Sequence, residues 1–362
     1  MIYLETAIID IIEGRKKRQW CKGGLLILSY LFRACLTVKN FAFDHRLRKI
    51  RQVSIPVVSI GNIIAGGTGK TALIKMLAQD LQSEGKISIL LRGYRSQAEK
   101  KPSSLHLTQK TTTSPQICGD EAYLLLRSVD NISLFVGKNR IQSAQMAADE
   151  TRQLLLLDDG MQYRQLHRDI EIVMLHAHDL YGKGFYLPRG YLRDSPKRLK
   201  EADYIFIHHI DDNEHFHSIE KKINKHSNAP LIGTYMEPKC VLFQNGTIWE
   251  DLRQKRIGVF CALGKPDSFI ATLNKMGAEV IATWFLPDHK APCIKQLSLF
   301  IDRCQKKGCE CLVCSEKDWV KLPQDKILTS FPIGYLQASM KVSSGWENYK
   351  KLKTEMIHLM KG

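Results

Sequence analysis

The chain has 362 residues, 44% of them hydrophobic, with 53 Lys/Arg against 37 Asp/Glu for a formal charge of +16. That apolar share excludes a chain too polar to bury a sizeable core, and the length suits two domains. The charge points to an anionic partner: nucleic acid, a membrane surface or a phosphorylated substrate. Ten cysteines without even spacing argue for reduced thiols and a cytosolic site. No cleavable signal peptide is expected, because the start carries acids and lacks a compact apolar core before a small-residue cleavage site.

Residues 1–51 hold eleven Lys/Arg against four Asp/Glu, a local charge of +7. Residues 25–32 (L-L-I-L-S-Y-L-F) are apolar; Arg33 interrupts them, and Cys35, Leu36, Val38, Phe41 and Phe43 resume the pattern. Spanning a bilayer needs about 20 predominantly apolar residues. This run is shorter and is broken by Arg33 and Lys39. The expectation is a helix lying in the membrane interface with basic flanks; the alternative is a helix packed on the domain that follows.

Ile55–Ile60 (I-P-V-V-S-I) reads as a strand, and Gly61–Thr71 follow as G-N-I-I-A-G-G-T-G-K-T. A strand, a glycine-rich turn and Lys-Thr at the head of a helix form a holder for a nucleoside triphosphate. Gly66, Gly67, Thr68 and Gly69 let backbone N–H groups turn inward around phosphate oxygens. Lys70 can reach the β- and γ-phosphates, and the Thr71 hydroxyl can ligate Mg²⁺. A helix starting near Thr71 adds the positive end of its dipole. The usual spacing, G-x-x-x-x-G-K-[ST], wants glycine where Ile64 stands, so the turning falls to Gly66 and Gly67.

Strand, turn and helix then alternate. Ala72–Leu81 is a helix, Ile87–Leu91 a strand leading into Arg92-Gly93-Tyr94, Glu121–Arg127 a helix and Ile132–Val136 a strand. Leu154–Leu157 is wholly apolar and ends in Asp158-Asp159-Gly160; Ile170–Leu175 and Tyr204–His208 are further strands. This alternation predicts a parallel α/β sheet covered on both faces. Residues 229–250 read as a linker of two short strands, Pro230–Met236 and Cys240–Phe243, with an Asn245-Gly246 turn. A second α/β unit follows: strands Ile257–Ala262, Glu279–Trp284 and Cys311–Cys314, and helices near Pro266–Met276 and over 291–307. Residues 344–361 are helical and basic. Cys304, Cys309, Cys311 and Cys314 cluster, and zinc is conceivable. Alternation along a strand would make Cys311 and Cys314 diverge, which favours buried structural thiols.

Asp158-Asp159 after four leucines is a Walker-B-like element, delivering carboxylates to the sheet edge where Mg²⁺ can be held. Asp120 opens a helix, so it is either a cap or the carboxylate that orients and deprotonates an attacking hydroxyl. Glu121 beside it is a candidate metal ligand. His289, in P-D-H after a strand, is open between a structural and a catalytic role. His167-Arg168-Asp169 mimics a protein-kinase catalytic loop, but Met174 stands where that motif needs Asn and no D-F-G follows. In the basic run Arg189–Lys200, Arg193 has the planar fork suited to phosphate, while Lys197 and Lys200 read as a solvated face.

In this order S-I-G-N-I-I-A-G-G-T-G-K-T, L-R-G-Y, G-D-E, D-D-G-M-Q, R-D-I-E-I, L-P-R-G-Y-L-R-D, G-K-P-D-S-F, F-L-P-D-H and S-E-K-D run from residue 59 to 318. The set resembles the tetraacyldisaccharide 4′-kinase family, and the basic apolar N-terminus is similar to that family's membrane-binding segment. The resemblance implies a P-loop NTPase-type parallel-sheet core domain (52–228) after a membrane-associating segment (1–51). A two-stranded linker (229–250), a smaller α/β domain (251–340) and a C-terminal helix (341–362) complete the expected plan. It implies ATP and Mg²⁺ as cofactors and a lipid A disaccharide-1-phosphate precursor as the acceptor. The location implied is the cytoplasmic face of the bacterial inner membrane. Carried over by motif, Lys70 and Thr71 match the P-loop, and Asp120 and His289 match a dyad that activates the hydroxyl. Asp158 and Asp159 match the metal-site acids, while Arg193 and Tyr94 match the substrate side. The chain departs from the family pattern at Ala72, Tyr163, Arg189, Tyr191, Asp194 and Lys290.

Two other classes share part of this pattern. A membrane-associated regulatory ATPase or GTPase shares the phosphate loop, but S-E-K-D (315–318) lacks the N-K-x-D base-reading motif. A nucleic-acid binder would interleave basic and aromatic residues on a sheet face; here the densest charge flanks an apolar helix. No nucleic acid or protein partner is expected.

Overall fold

The computed structural model describes residues 8–14, 19–150, 152–210, 212–263, 266–287, 292–322 and 331–362. The first half contributes β1 (Val57–Gly61), β2 (Ile87–Leu91), β3 (Leu105–Leu107), β4 (Ile132–Val136), β5 (Leu154–Asp158), β6 (Ile170–His176) and β7 (Tyr204–His208). The second contributes β8 (Leu231–Phe243), β9 (Ile248–Trp249), β10 (Arg256–Cys261), β11 (Glu279–Phe285), β12 (Cys311–Ser315) and β13 (Ile333–Ser344). All thirteen belong to one sheet, ordered β11-β10-β12-β13-β8-β7-β6-β1-β5-β2-β4-β3 with β9 on β8.

β1 lies parallel between β5 and β6 and is buried along its whole length. Strands such as L-L-L-L-D (β5) are apolar without alternation because helices cover both faces. One cover is the helix Lys70–Leu81, whose Leu73, Ile74, Leu77, Ala78 and Leu81 recur at helical spacing and are buried against Val58 and Ile60. The C-terminal helix Trp346–Lys361 packs Tyr349, Leu352, Met356 and Met360 into that same core. The chain therefore ends on its first half, not on the second.

Where two extended segments are expected around Pro238, a single strand, β8, runs through it. Its partner is β13, antiparallel from Gly233 opposite Ser344 to Phe243 opposite Gly334. The register slips between Gln337 and Ala338, opposite Pro238, where a residue without an N–H is tolerated. Residues 229–250 thus supply one long strand and the short β9, and the second strand comes from 333–344. Beyond this ribbon, β10, β11 and β12 carry their own cores on both faces. Cys311 and Cys314 are buried on β12, and burial pushes the Cys311 thiol up to about 12. These thiols are structural, as strand alternation predicts.

The N-terminal helix spans Gln19–Asp44. The apolar character does not stop at Arg33: Lys22–Asp44 is long and apolar enough, by length and composition, to cross a membrane. The two interrupting charges turn toward protein. The Arg33 guanidinium lies 5.8 Å over the Tyr186 ring, and Lys39 Nζ donates to the Gln162 carbonyl at 3.0 Å. Ser29 donates to the Tyr186 carbonyl at 2.8 Å, and Arg164 pairs with Asp44 at 2.7 Å. The other face leaves Ile27, Leu28, Leu31, Val38 and Phe41 exposed.

Candidate active site

The phosphate loop leaves β1 through Asn62, which is fully buried. Ile64 forms an antiparallel bridge with Leu192, and the Ala65 N–H donates to the Tyr191 carbonyl at 2.7 Å. The loop's near end is therefore strapped to the segment around residue 192, which is why an apolar residue stands where glycine is usual. The turning falls on Gly66 (φ 111°) and Gly69 (φ 95°), both in the left-handed region that favours glycine. Gly67 does not share this role. A side chain on Gly69 would also come within 3.0 Å of the His208 ring. His208 ends β7 under the loop; burial, then the neighbouring His209 and His176, pulls its pKa well below the ordinary value.

The helix begins at Lys70. Lys70 Nζ lies 3.2 Å from Asp159 Oδ1, and the Thr71 hydroxyl donates to Glu121 Oε1 at 3.3 Å. Ile60 of β1 sits in register with Asp158, so neighbouring strands bring the loop and the acids together. Burial, reinforced by Glu121 and Asp159, pushes the Asp158 carboxyl up to about 7, and its Oδ1 is buried without a partner. Asp159 takes a left-handed backbone (φ 55°) that aims it into the site. Burial alone would raise its pKa; the fork of Arg193, with Lys70, overcomes this and holds it well below the usual carboxylate range. Arg193 donates to Asp159 Oδ2 at 2.8 Å, and its other nitrogen donates to Asp159 Oδ1 and Asn62 Oδ1.

Asn62 is a residue that sequence reasoning missed. Its amide donates to Thr68 Oγ1 at 2.9 Å while its oxygen receives Arg193, so it ties the loop to that guanidinium. The available signal was an amide between a buried strand and a glycine turn. Arg140 was missed too: it is buried, with burial pulling its pKa down and the charges of Asp158 and Asp159 opposing that.

Asp120 opens the helix Asp120–Ser128, after Gly119 at φ 95°. Lys321, from the chain's second half, brings Nζ to 3.8 Å from Asp120 Oδ2. Tyr94 stays exposed, with the Arg95 guanidinium 5.1 Å over its ring. His289 and Lys290 lie outside the described residues. In the basic run, Lys197 and Lys200 are solvated, whereas Arg198 is buried against Asp194 and Glu201. The kinase-like His167-Arg168-Asp169 is structural: Arg168 pairs with Glu171 at 2.7 Å and Asp169 accepts the Val57 N–H at 2.7 Å.

A recess of about 300 Å³ opens beside this cluster, lined by Phe32, Cys35 and Leu36 of the N-terminal helix and by Lys39, Gln162 and Arg193. A mainly parallel sheet around β1 with a glycine-rich loop, Lys-Thr and paired acids at its carboxyl edge defines the P-loop nucleotide-binding class. The model of the family described as tetraacyldisaccharide-1-P 4′-kinase matches residues 22–356, and the chain belongs to that family. It is 35% identical to the tetraacyldisaccharide 4′-kinase of Chlamydia pneumoniae over 331 residues, 90% of this chain and 86% of that one. With the enzyme of the same name from Halothermothrix orenii it shares 31% over 346 residues, 90% of each. The crystal structure of Aquifex aeolicus LpxK, an "apo" form in complex with ATP, matches with a TM-score of 0.72 at 24% identity. It covers 94% of this chain and 99% of that one, confirming the fold.

Proposed function

We propose that this chain transfers the γ-phosphate of ATP to the 4′-hydroxyl of a tetraacyldisaccharide 1-phosphate, the lipid A precursor. It would act as a peripheral protein at the cytoplasmic face of the inner membrane. The observation that carries this reading is the double membership of Arg193. The same guanidinium caps Asp159 in the phosphate site and lines the recess under the N-terminal helix. A polar phosphate site sharing a wall with an apolar recess suits an acceptor that is sugar at one end and lipid at the other.

Gly66, Gly67, Thr68 and Gly69 would cradle the phosphates, and Lys70 would take the β- and γ-oxygens. The acids suit Mg²⁺. Asp158 Oδ1 is a buried oxygen without a partner, which a cation would satisfy. Among the described residues no three His, Cys, Asp or Glu side chains converge into a metal cage. Mg²⁺ does not need one, because it keeps waters and takes phosphate oxygens besides one or two carboxylates. Thr71, Asp158, Asp159 and Glu121 are the residues we assign to it, and when bound it would neutralise charge on the transferring phosphoryl group. Asp120, in a dyad with His289, would orient the hydroxyl and accept its proton. Arg193 and Tyr94 would meet the acceptor. We place the core at 52–228 and the smaller domain at 251–340, so that the dyad forms across the cleft between them.

The test is label transfer from γ-labelled ATP to a tetraacyldisaccharide 1-phosphate in detergent micelles. Wild type should label the lipid, and Lys70→Ala and Asp120→Ala should not. ATP hydrolysis without labelled lipid would overturn the assignment in favour of a regulatory ATPase.

A further inference from the structure

The short helix Glu316–Trp319 and the turn after it belong to the second half of the chain, yet they contact the first half at two places. Glu316 accepts Lys75 Nζ at 2.9 and 3.1 Å and the Ser128 hydroxyl at 3.3 Å. Five residues on, Lys321 brings its ammonium to Asp120 at 3.8 Å. Lys75 and Ser128 belong to the phosphate-loop helix and to the helix that Asp120 opens. The Glu316 contacts therefore fix the element against the very helices that carry Lys70 and Asp120.

Lys321 is itself an unusual lysine. Its side chain is 3% exposed, and a cation so buried persists only when paired. The pairing is built: Asp318, fully buried, holds Lys321 Nζ at 3.1 Å. Asp318 is in turn fixed by the Ser315 hydroxyl at 2.6 Å and the Ala262 N–H at 2.9 Å. An ion pair wanted only for stability is easily replaced by apolar residues. This one is anchored in the second half and turned toward the first, ending at the carboxylate of Asp120.

We infer that Lys321 is a positioning residue for Asp120, an ammonium supplied across the domain cleft that holds the carboxylate in place and oriented toward the acceptor hydroxyl. This rests on the reading of Asp120 as the hydroxyl-activating base. The base would then be competent only when the second half is docked, which ties phosphate transfer to closure and limits hydrolysis in an open cleft.

The experiment compares wild type, Lys321→Met, Lys321→Arg, Asp120→Asn and the double variant Asp120→Asn/Lys321→Met in the labelled-lipid assay. The apparent KM for each substrate and the thermal midpoint are measured alongside. Lys321→Met should lower kcat by about 10–100-fold with both KM values within about 3-fold, as misplacement of a reacting group does. Lys321→Arg, which keeps charge and the Asp318 pair, should recover most of that loss. The double variant should be no slower than Asp120→Asn alone, because the two act as one unit. If Lys321→Met does not fold, Asp318→Asn/Lys321→Met, which removes both buried charges together, replaces it. Asp120→Asn inactive beside Lys321→Met at wild-type kcat, or losses that multiply in the double variant, would overturn this inference alone. Full activity of Asp120→Asn would overturn the base assignment and this inference with it.

Discussion

Acidification should loosen the sheet around His208. Its imidazole is buried beneath the phosphate loop, with Nδ1 3.3 Å from Thr234 Oγ1 and His209 and His176 close by. Burial and those neighbours keep it neutral in the folded state to well below its ordinary 6.5. Below pH 6.5 the unfolded chain binds a proton at His208 that the folded chain does not. Its contribution to stability is complete above 6.5 and is lost as the pH falls toward the folded pKa. The slope approaches about 1.4 kcal/mol per pH unit. Between about pH 7.5 and 5.0 the loss reaches at most about 2 kcal/mol, or about 30-fold in the opening equilibrium. His208→Asn abolishes this titration while keeping a polar group near Thr234. It costs packing at every pH, so the diagnostic is the slope and not the level. Hydrogen exchange of the β6 and β7 amides, corrected for intrinsic rates, reports this local stability without assuming that the whole chain unfolds in one step. Protection in wild type should fall more than in the variant over that interval, by up to about 30-fold. Parallel profiles would refute the claim that His208 is held neutral.

A side chain at Gly61 would meet Met161 Cβ at 2.4 Å, so Gly61→Ala should destabilise the core, by about 1–3 kcal/mol. Gly67→Ala, with nothing within 4 Å, should leave the thermal midpoint unchanged; equal midpoints for both would refute this reading. With Asp158 held up near 7, Mg²⁺ held there as proposed would have to displace its proton at lower pH. The Mg²⁺ needed for nucleotide binding should therefore rise below about pH 7, by up to about tenfold per unit, and stay flat above it. Asp158→Asn should remove that slope, and a pH-independent Mg²⁺ requirement in wild type would contradict it. Replacing Leu31, Val38 and Phe41 together by serine should abolish flotation with anionic vesicles and leave nucleotide binding intact. Wild-type flotation should largely survive 1 M NaCl if apolar insertion dominates; complete release by salt would point to charge alone.

Local features were legible in the sequence. A run such as Leu154–Asp158 announces a buried strand with an acid at its end, and Lys70-Thr71 announces a helix head behind a glycine turn, since each depends on neighbours along the chain. What escaped depends on partners far away. Arg193 and Asp159 are 34 residues apart, and Lys75 and Glu316 are 241 apart. No local pattern shows which carboxylate a guanidinium will find. Among the loop glycines, composition nominates Gly66 and Gly67, while the left-handed turns fall at Gly66 and Gly69. Arg33 and Lys39 read as interruptions of an apolar run because a sequence does not say which side of a helix will face protein. Once Tyr186 and Gln162 occupy that side, the outer face stays apolar.

The ribbon of β8 and β13 brackets residues 244–332. The chain departs at Phe243 and returns at Ile333, and Phe243 lies opposite Gly334, so the two ends of residues 244–332 are cross-strand neighbours. That region is in effect an elaborated hairpin tip grafted onto a sheet that closes without it, since the C-terminal helix already covers the first core. Trimming it back to a tight turn leaves β13 an edge strand where it now pairs with β12 and uncovers Val241, Phe243 and Leu336. With those positions made polar, a shortened chain should keep the first core and its grip on nucleotide while losing everything the grafted part contributes.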